Sequence, residues 1–194
     1  MRAERIPEYA TPDDYRQVFG ADNLLHWTAY VLTGDAQTAE ECLVSGLADC
    51  FTANGVFRSW AESWARRMII KNAARLMPSL TGSNELQMPS KRNLAFHPAG
   101  ITERLLQLQV FDRFIVIMAI LEGYKEQECA VLLQCTREQV AEAKARLSAA
   151  FFLDDQARAR IHDEALNFKP PMIAAAAFPL ETFGRFCKTA EACG

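Results

Sequence analysis

Three cations stand at helical spacing in the first half of the chain: Arg67, Lys71 and Arg75, each four residues after the last. On a helix they share one face and form a stripe that can track a phosphate backbone, each neutralised phosphate adding salt-dependent affinity. Arg66 lies beside the stripe, and Asn72 carries an amide that can hydrogen-bond a base edge. Trp60 and Trp64 offer ring faces on which an unpaired base can stack, although core packing is the commoner use of such a pair. The ordinary alternative for the stripe is a solvated face, but like charges four apart weaken a helix that has no partner for them.

Other chemistry is harder to find. His26, His97 and His162 are far apart and match no ligand spacing. The six cysteines, at 42, 50, 129, 135, 187 and 193, form no C-x-x-C pair, which argues against a zinc site. No G-x-S-x-G or phosphate-binding glycine loop is present. The expectation is a protein that is not an enzyme, needs no cofactor and keeps its thiols reduced in a cytoplasmic compartment. The first twelve residues are charged and lack an apolar core, so no secretory signal is expected. The longest apolar run, Met172 to Leu180, is too short to span a bilayer.

Charge is unevenly spread. Phe57 to Arg75 nets +4, which leaves −7 for the rest of a chain whose total is −3. A local basic stripe on an acidic protein suits a polyanion met at one place.

The elements that must position these residues read as helices, so the predicted fold class is all-α. Thr11, Pro12 and Asp14 mark a helix start, with a capping hydroxyl, proline at the first position and a carboxylate in the first turn. A helix follows from about Pro12 to Leu32, with a break at Gly20 as an alternative, and Thr33-Gly34-Asp35 stops it and caps the next. Glu40–Phe51 and Ser59–Leu76 read as the next two helices. Pro78 to Gly100 holds three prolines, two glycines and three serines, the composition of a linker. Beyond it Leu108, Phe111, Ile115 and Met118 fall on one helical face. Lys125–Leu133 and a long helix from Arg137 towards Phe168 complete the pattern. The predicted organisation is a helical domain at 12–77, a linker at 78–100, a second helical domain at 101–153, and a helix extension with a C-terminal tail at 154–194. The phenylalanines of that tail suggest a segment that folds back on a domain or captures a partner.

Glu126 to Val140 predicts a helix-turn-helix. Ala130 is small where two helices must approach, Gln134-Cys135 form the turn, and Val140 faces back into the angle. Thr136 and Gln139 make a capping box at the start of the second helix. Gln134 occupies the turn position that favours glycine, because the backbone there is left-handed, and it is tolerated at a cost in stability. An ordinary helical hairpin is the alternative.

At this point the chain resembles the sigma-70 family of bacterial RNA polymerase sigma factors, in its short extracytoplasmic-function form. Leu32-Thr33-Gly34-Asp35, then Ala39-Glu40-Glu41 ending at Phe51, resembles the family's core-binding segment. Phe57, Trp60, Trp64 and Ala65 to Asn72 resemble its promoter-melting segment. Leu121-Glu122-Gly123-Tyr124, Glu128, Ala130, Leu132-Leu133, Thr136 and Val140 resemble its helix-turn-helix domain. The resemblance implies two small helical domains, a region-two-like bundle and a region-four-like helix-turn-helix. It also implies core RNA polymerase and promoter DNA as partners, with an anti-sigma protein as a further one and no membrane. Glu40, Glu41, Val44 and Asp49 would then contact polymerase. Arg66, Arg67, Lys71, Asn72 and Arg75 would hold melted promoter DNA, and Thr136, Arg137, Gln139 and Lys144 would face duplex.

The chain also departs from the family. Val44 and Ser45 stand where a Gln-Glu pair is usual, and Asp49 where a basic residue is common. Glu138, Ala141, Glu142 and Ala143 occupy the groove-facing stretch of the recognition helix, and carboxylates facing phosphates cost affinity. Two other readings therefore stay open: a sigma-like interaction module that has lost promoter reading, and a helix-turn-helix repressor that dimerises through its first domain.

Overall fold

The structure, a computed structural model, describes residues 8–21, 23–53, 55–77, 100–151 and 155–169. The expected linker, apart from Gly100, and the tail from residue 170 lie outside the described residues, as do His97, Cys187 and Cys193.

Within the described residues the chain is all-α, as expected. Helix α1 (Pro12–Ala21) starts where Thr11 and Asp14 bond reciprocally, the Thr11 amide donating to Asp14 Oδ2 at 2.8 Å. Helix α2 (Asn23–Thr33) ends at Gly34, whose φ of +74° is left-handed. Asp35 then caps α3 (Ala36–Thr52) by accepting from the Thr38 amide at 2.7 Å. A single 3-10 turn (Arg58–Trp60) leads into α4 (Ala61–Leu76). Gly46 lets α3 and α4 approach closely: a Cβ there would sit 2.8 Å from Ile69 Cδ1. Near the N-terminus, Tyr9 and Phe57 form an isolated antiparallel bridge.

In the second half the helical face expected from Leu108 to Met118 is interrupted at its start. Helix α5 (Ile101–Leu106) stops, Gln107 to Gln109 turn, and α6 (Val110–Ile115) begins. Leu108, expected on a continuous helical face, lies in that turn. Val116–Leu121 extends α6 with π-type bonds, and the Glu122 amide reaches Ile117 O at 2.9 Å. Helices α7 (Glu126–Leu133) and α8 (Arg137–Phe151) follow. The long final helix is two helices, α8 and α9 (Asp155–Leu166).

Every residue from Asp112 to Ile120 is buried, so α6 and its extension form the centre of the second half. That follows from an almost unbroken apolar run; fully burying a Phe- or Ile-sized side chain contributes about 1.5–3 kcal/mol. Both polar members of the run have partners, although the buried Arg113 Nε has none among the described residues. Asp112 takes a two-pronged bond from Arg146 of α8, 2.9 Å on each arm. Arg113, 7% exposed, donates from Nη1 to Val31 O at 2.9 Å and so caps the end of α2.

The two segments on either side of the linker pack on each other, and one buried cluster runs from Tyr15 to Ala165. Trp27 Nε1 of α2 donates to Thr102 Oγ1 of α5 at 2.9 Å. Helix α9 closes over this seam. Glu164 accepts from the Ile101 and Thr102 amides at 2.8 Å each, which supplies the α5 N-terminus with its missing partners. Asn23 Nδ2 donates to Leu166 O and caps α9, and Tyr30 meets the Phe168 ring.

Candidate nucleic-acid interface

Helix α4 buries Ala61, Ala65, Met68, Ile69, Asn72 and Ala73, and its outer side presents the basic stripe. The side chains of Arg67, Lys71 and Arg75 are 53%, 45% and 64% exposed. They are not unaccompanied. Lys71 Nζ lies 3.6 Å and Arg75 Nη1 3.7 Å from Asp49 Oδ2 of α3. Arg67 Nη2 is 3.9 Å from Glu128 Oε1, and its guanidinium lies 5.8 Å from the centre of the Tyr124 ring. Arg66 pairs with Glu62 one turn back and with Glu122 Oε1 at 3.5 Å. Four cations thus meet four carboxylates, two of them from the second half of the chain. The half-exposed pairs among them, those of Arg67, Lys71 and Arg75, contribute about 0–1 kcal/mol each. A cleft of about 320 Å³ lies between the helices, lined by Arg67, Lys71, Tyr124, Glu128, Val131 and Leu132.

Two site expectations change here. Asn72 is 5% exposed, and its Nδ2 donates to Met68 O at 2.9 Å and to Asp49 Oδ2 at 3.2 Å. It braces α4 against α3 from inside and has no surface from which to reach a base. Asp49, expected to meet polymerase, is half-buried and turned to the α4 cations.

Glu40, Glu41 and Val44 do stand together on the outer face of α3, beside exposed Ser45 and Ala48. Val44 is 39% exposed, an apolar side chain at the centre of a mostly polar surface. Asp35, at the start of this helix, is held below the usual carboxylate range by the Thr38 amide and hydroxyl, so the α3 N-terminus keeps an ionised cap at neutral pH.

The connection between α7 and α8 carries the left-handed turn, cap and buried small residues read from the sequence. Gln134 is left-handed, at φ 53° and ψ 43°. The Cys135 amide donates back to Ala130 O at 3.0 Å. Ala130 and Val140 are buried in the angle, at 5% and 0% exposure. Thr136 Oγ1 accepts from the Gln139 amide at 3.2 Å, and Gln139 Oε1 from the Thr136 amide at 2.9 Å. Both side chains are exposed but are already used as caps. Glu128 does a similar job for α7, its Oε2 accepting from the Lys125 amide at 3.0 Å.

The outward side of α8 exposes Arg137, Glu138 and Glu142, with Lys144 half-buried. Its third cation, Arg146, is spent on Asp112. The Glu138 amide and the Thr136 hydroxyl hold the Glu138 carboxyl below its ordinary value, so it is anionic at neutral pH.

Sequence reasoning gave Trp60 and Trp64 one role, and the structure separates them. Trp64 is half-buried, whereas Trp60 is 61% exposed. Trp60 meets Phe57 edge-on at 5.3 Å, and Phe57 stacks on Tyr9 at 5.3 Å and 13°. Tyr9 was not foreseen: it lies far from the basic stripe in sequence, and only the bridge to Phe57 brings it in.

Among the described residues no group of three or more His, Cys, Asp or Glu could hold a metal, and no helix is long and apolar enough to cross a membrane. Burial pushes the Cys42 and Cys50 thiols up to about 12 and Cys129 to about 11, so these three pack as small apolar side chains. Comparison with family models, curated proteins and solved structures gives no match.

Proposed function

We propose that the chain is a sigma-like transcription initiation protein of the bacterial cytoplasm that binds core RNA polymerase and has no catalytic step of its own. The observation that carries this reading is the order of two differently built units. A helical bundle whose α2–α3 turn is Thr33-Gly34-Asp35 precedes a helix-turn-helix closed by Gln134, Thr136 and Gln139. The outer face of α3, with Glu40, Glu41 and Val44, would dock on polymerase. The α4 stripe and the exposed ring of Trp60 would hold unpaired promoter bases and phosphates. Helix α8 would lie against the upstream element, and an anti-sigma protein would compete for these faces. The two halves would act as the two sigma domains, spread apart on polymerase around the linker.

A second reading has its own support. Glu138 and Glu142 on α8, and the pairing of every stripe cation with a carboxylate, favour a sigma-like interaction module that binds polymerase without reading a promoter.

The test is capture of core RNA polymerase by the purified full-length chain, followed by run-off transcription on fragmented genomic DNA. Capture with new transcripts supports the first reading, and capture without transcripts the second. Absence of capture, or capture undiminished by Val44→Asp, overturns the polymerase-docking role of α3.

A further inference from the structure

The basic face of α4 carries anions supplied by the other half of the chain. Glu122 and Glu128 bracket Gly123 and Tyr124 in the turn that enters α7, and they reach Arg66 and Arg67 respectively. Tyr124 fills the space between, its ring under the Arg67 guanidinium. Glu62 and Asp49, from the first half, balance only two of the four cations. The two carboxylates of the second half bring the face to neutrality.

We propose that the Glu122–Glu128 segment is an autoinhibitory clasp. Its carboxylates stand in for phosphates on Arg66 and Arg67, and single-stranded DNA must displace them to use the stripe. The proposal rests on the reading of α4 as a nucleic-acid face, and it adds that this face is self-occupied in the free protein.

The contact is built to release. Its ion pairs are long, at 3.5 and 3.9 Å; the Arg67–Glu128 pair is open to solvent and salt, while the Arg66–Glu122 pair is partly buried. The other bonds that span the same seam are shorter: Arg113 to Val31 O, which is buried, and Trp27 to Thr102, each at 2.9 Å. Losing the clasp therefore leaves the packed core in place. Glu128 also divides its labour, Oε1 toward Arg67 and Oε2 on the Lys125 amide, so the start of α7 survives when Arg67 leaves.

That division supplies the variant. Glu128→Gln keeps an acceptor for the Lys125 amide and removes the charge, and Glu122→Gln removes the charge that faces Arg66. The probe is a fluorescein-labelled oligothymidine of about twenty nucleotides, a length that covers a single-strand groove with room to spare. It is titrated by anisotropy at low salt into the wild-type chain, E122Q/E128Q, R66A/R67A and the fourfold combination. The double glutamine variant is expected to bind about threefold to tenfold tighter, the range for two long ion pairs of less than about 1 kcal/mol each. The gain should vanish in the fourfold variant. Equal affinity of wild type and E122Q/E128Q, with R66A/R67A weakened, overturns the clasp and leaves the nucleic-acid face standing. A gain that persists in the fourfold variant also overturns it, since bulk charge would then be the cause. Failure of every chain to bind overturns the clasp together with the reading of α4.

Discussion

Gln134→Gly is expected to stabilise the protein, and the size of the gain can be worked from the turn. Gln134 is the one non-glycine residue with positive φ among the described residues. A left-handed conformation costs an ordinary L residue about 1–2 kcal/mol. Glycine escapes that cost but gives back about 0.4–1 kcal/mol through the greater freedom of the unfolded chain. The Gln134 side chain is exposed and makes no hydrogen bond among the described residues, so its removal subtracts little. The balance is a gain of about 0.5–1 kcal/mol, or roughly 1–4 °C in Tm for a chain of this size. Differential scanning calorimetry at neutral pH reads it directly. Gln134→Ala is the control, because alanine has the same left-handed cost and should leave Tm within about 1 °C of wild type. A Tm that falls in Gln134→Gly, or rises equally in both variants, refutes the assignment of strain to the backbone of this turn.

The remaining predictions concern the seams. Gly34→Ala adds a Cβ 2.5 Å from Arg113 Nη1 at a residue with φ of +74°, which forces Arg113 off the end of α2. A loss of about 2–4 kcal/mol in urea unfolding is expected, from backbone strain and an unmet buried carbonyl together, and an unchanged midpoint would show that Arg113 is not a cap. Arg146→Ala strands Asp112, whose side chain is 8% exposed, and should cost about 2–3 kcal/mol, a discount for the half-exposed arginine included. The charge-free D112L/R146M should recover most of that loss, and failure to do so would mean that packing, not the ion pair, sets the cost. Glu164 is pushed up by burial, but the Thr102 hydroxyl and the Thr102 and Ile101 amides outweigh this and leave it below its ordinary value. Its stabilising effect is therefore complete above the ordinary glutamate range and is lost as pH falls through the lowered folded value. The gap in urea midpoint between wild type and Glu164→Gln should shrink steadily from neutral pH into acid, and a gap independent of pH would remove the charge from the explanation.

What could be read from the sequence, and what could not, divides by the distance between partners. Thr11 with Asp14, Asp35 at its helix start and Thr136 with Gln139 were legible because a cap and its partner lie within one helical turn. Gln134 was legible as a costly turn residue for the same reason. The break at Gln107 to Gln109 was missed because Leu108, Phe111, Ile115 and Met118 keep helical spacing across it, and apolar periodicity does not record whether the backbone bonds continue. Asn72 and Asp49 were assigned to separate surfaces because nothing local links positions 23 residues apart. The basic stripe shows the limit most clearly. In sequence, Arg67, Lys71 and Arg75 have like charges as helical neighbours, which argues for an external anion. In the fold, Asp49 arrives from α3 and Glu128 from α7, and the demand for an anion is met from within. A sequence pattern can show that a set of charges needs partners; whether those partners are phosphates or the chain's own carboxylates is decided by packing that the pattern does not contain. That ambiguity gives the Glu122–Glu128 segment its interest, because a face that is neutral while covered and cationic once uncovered can belong to both descriptions.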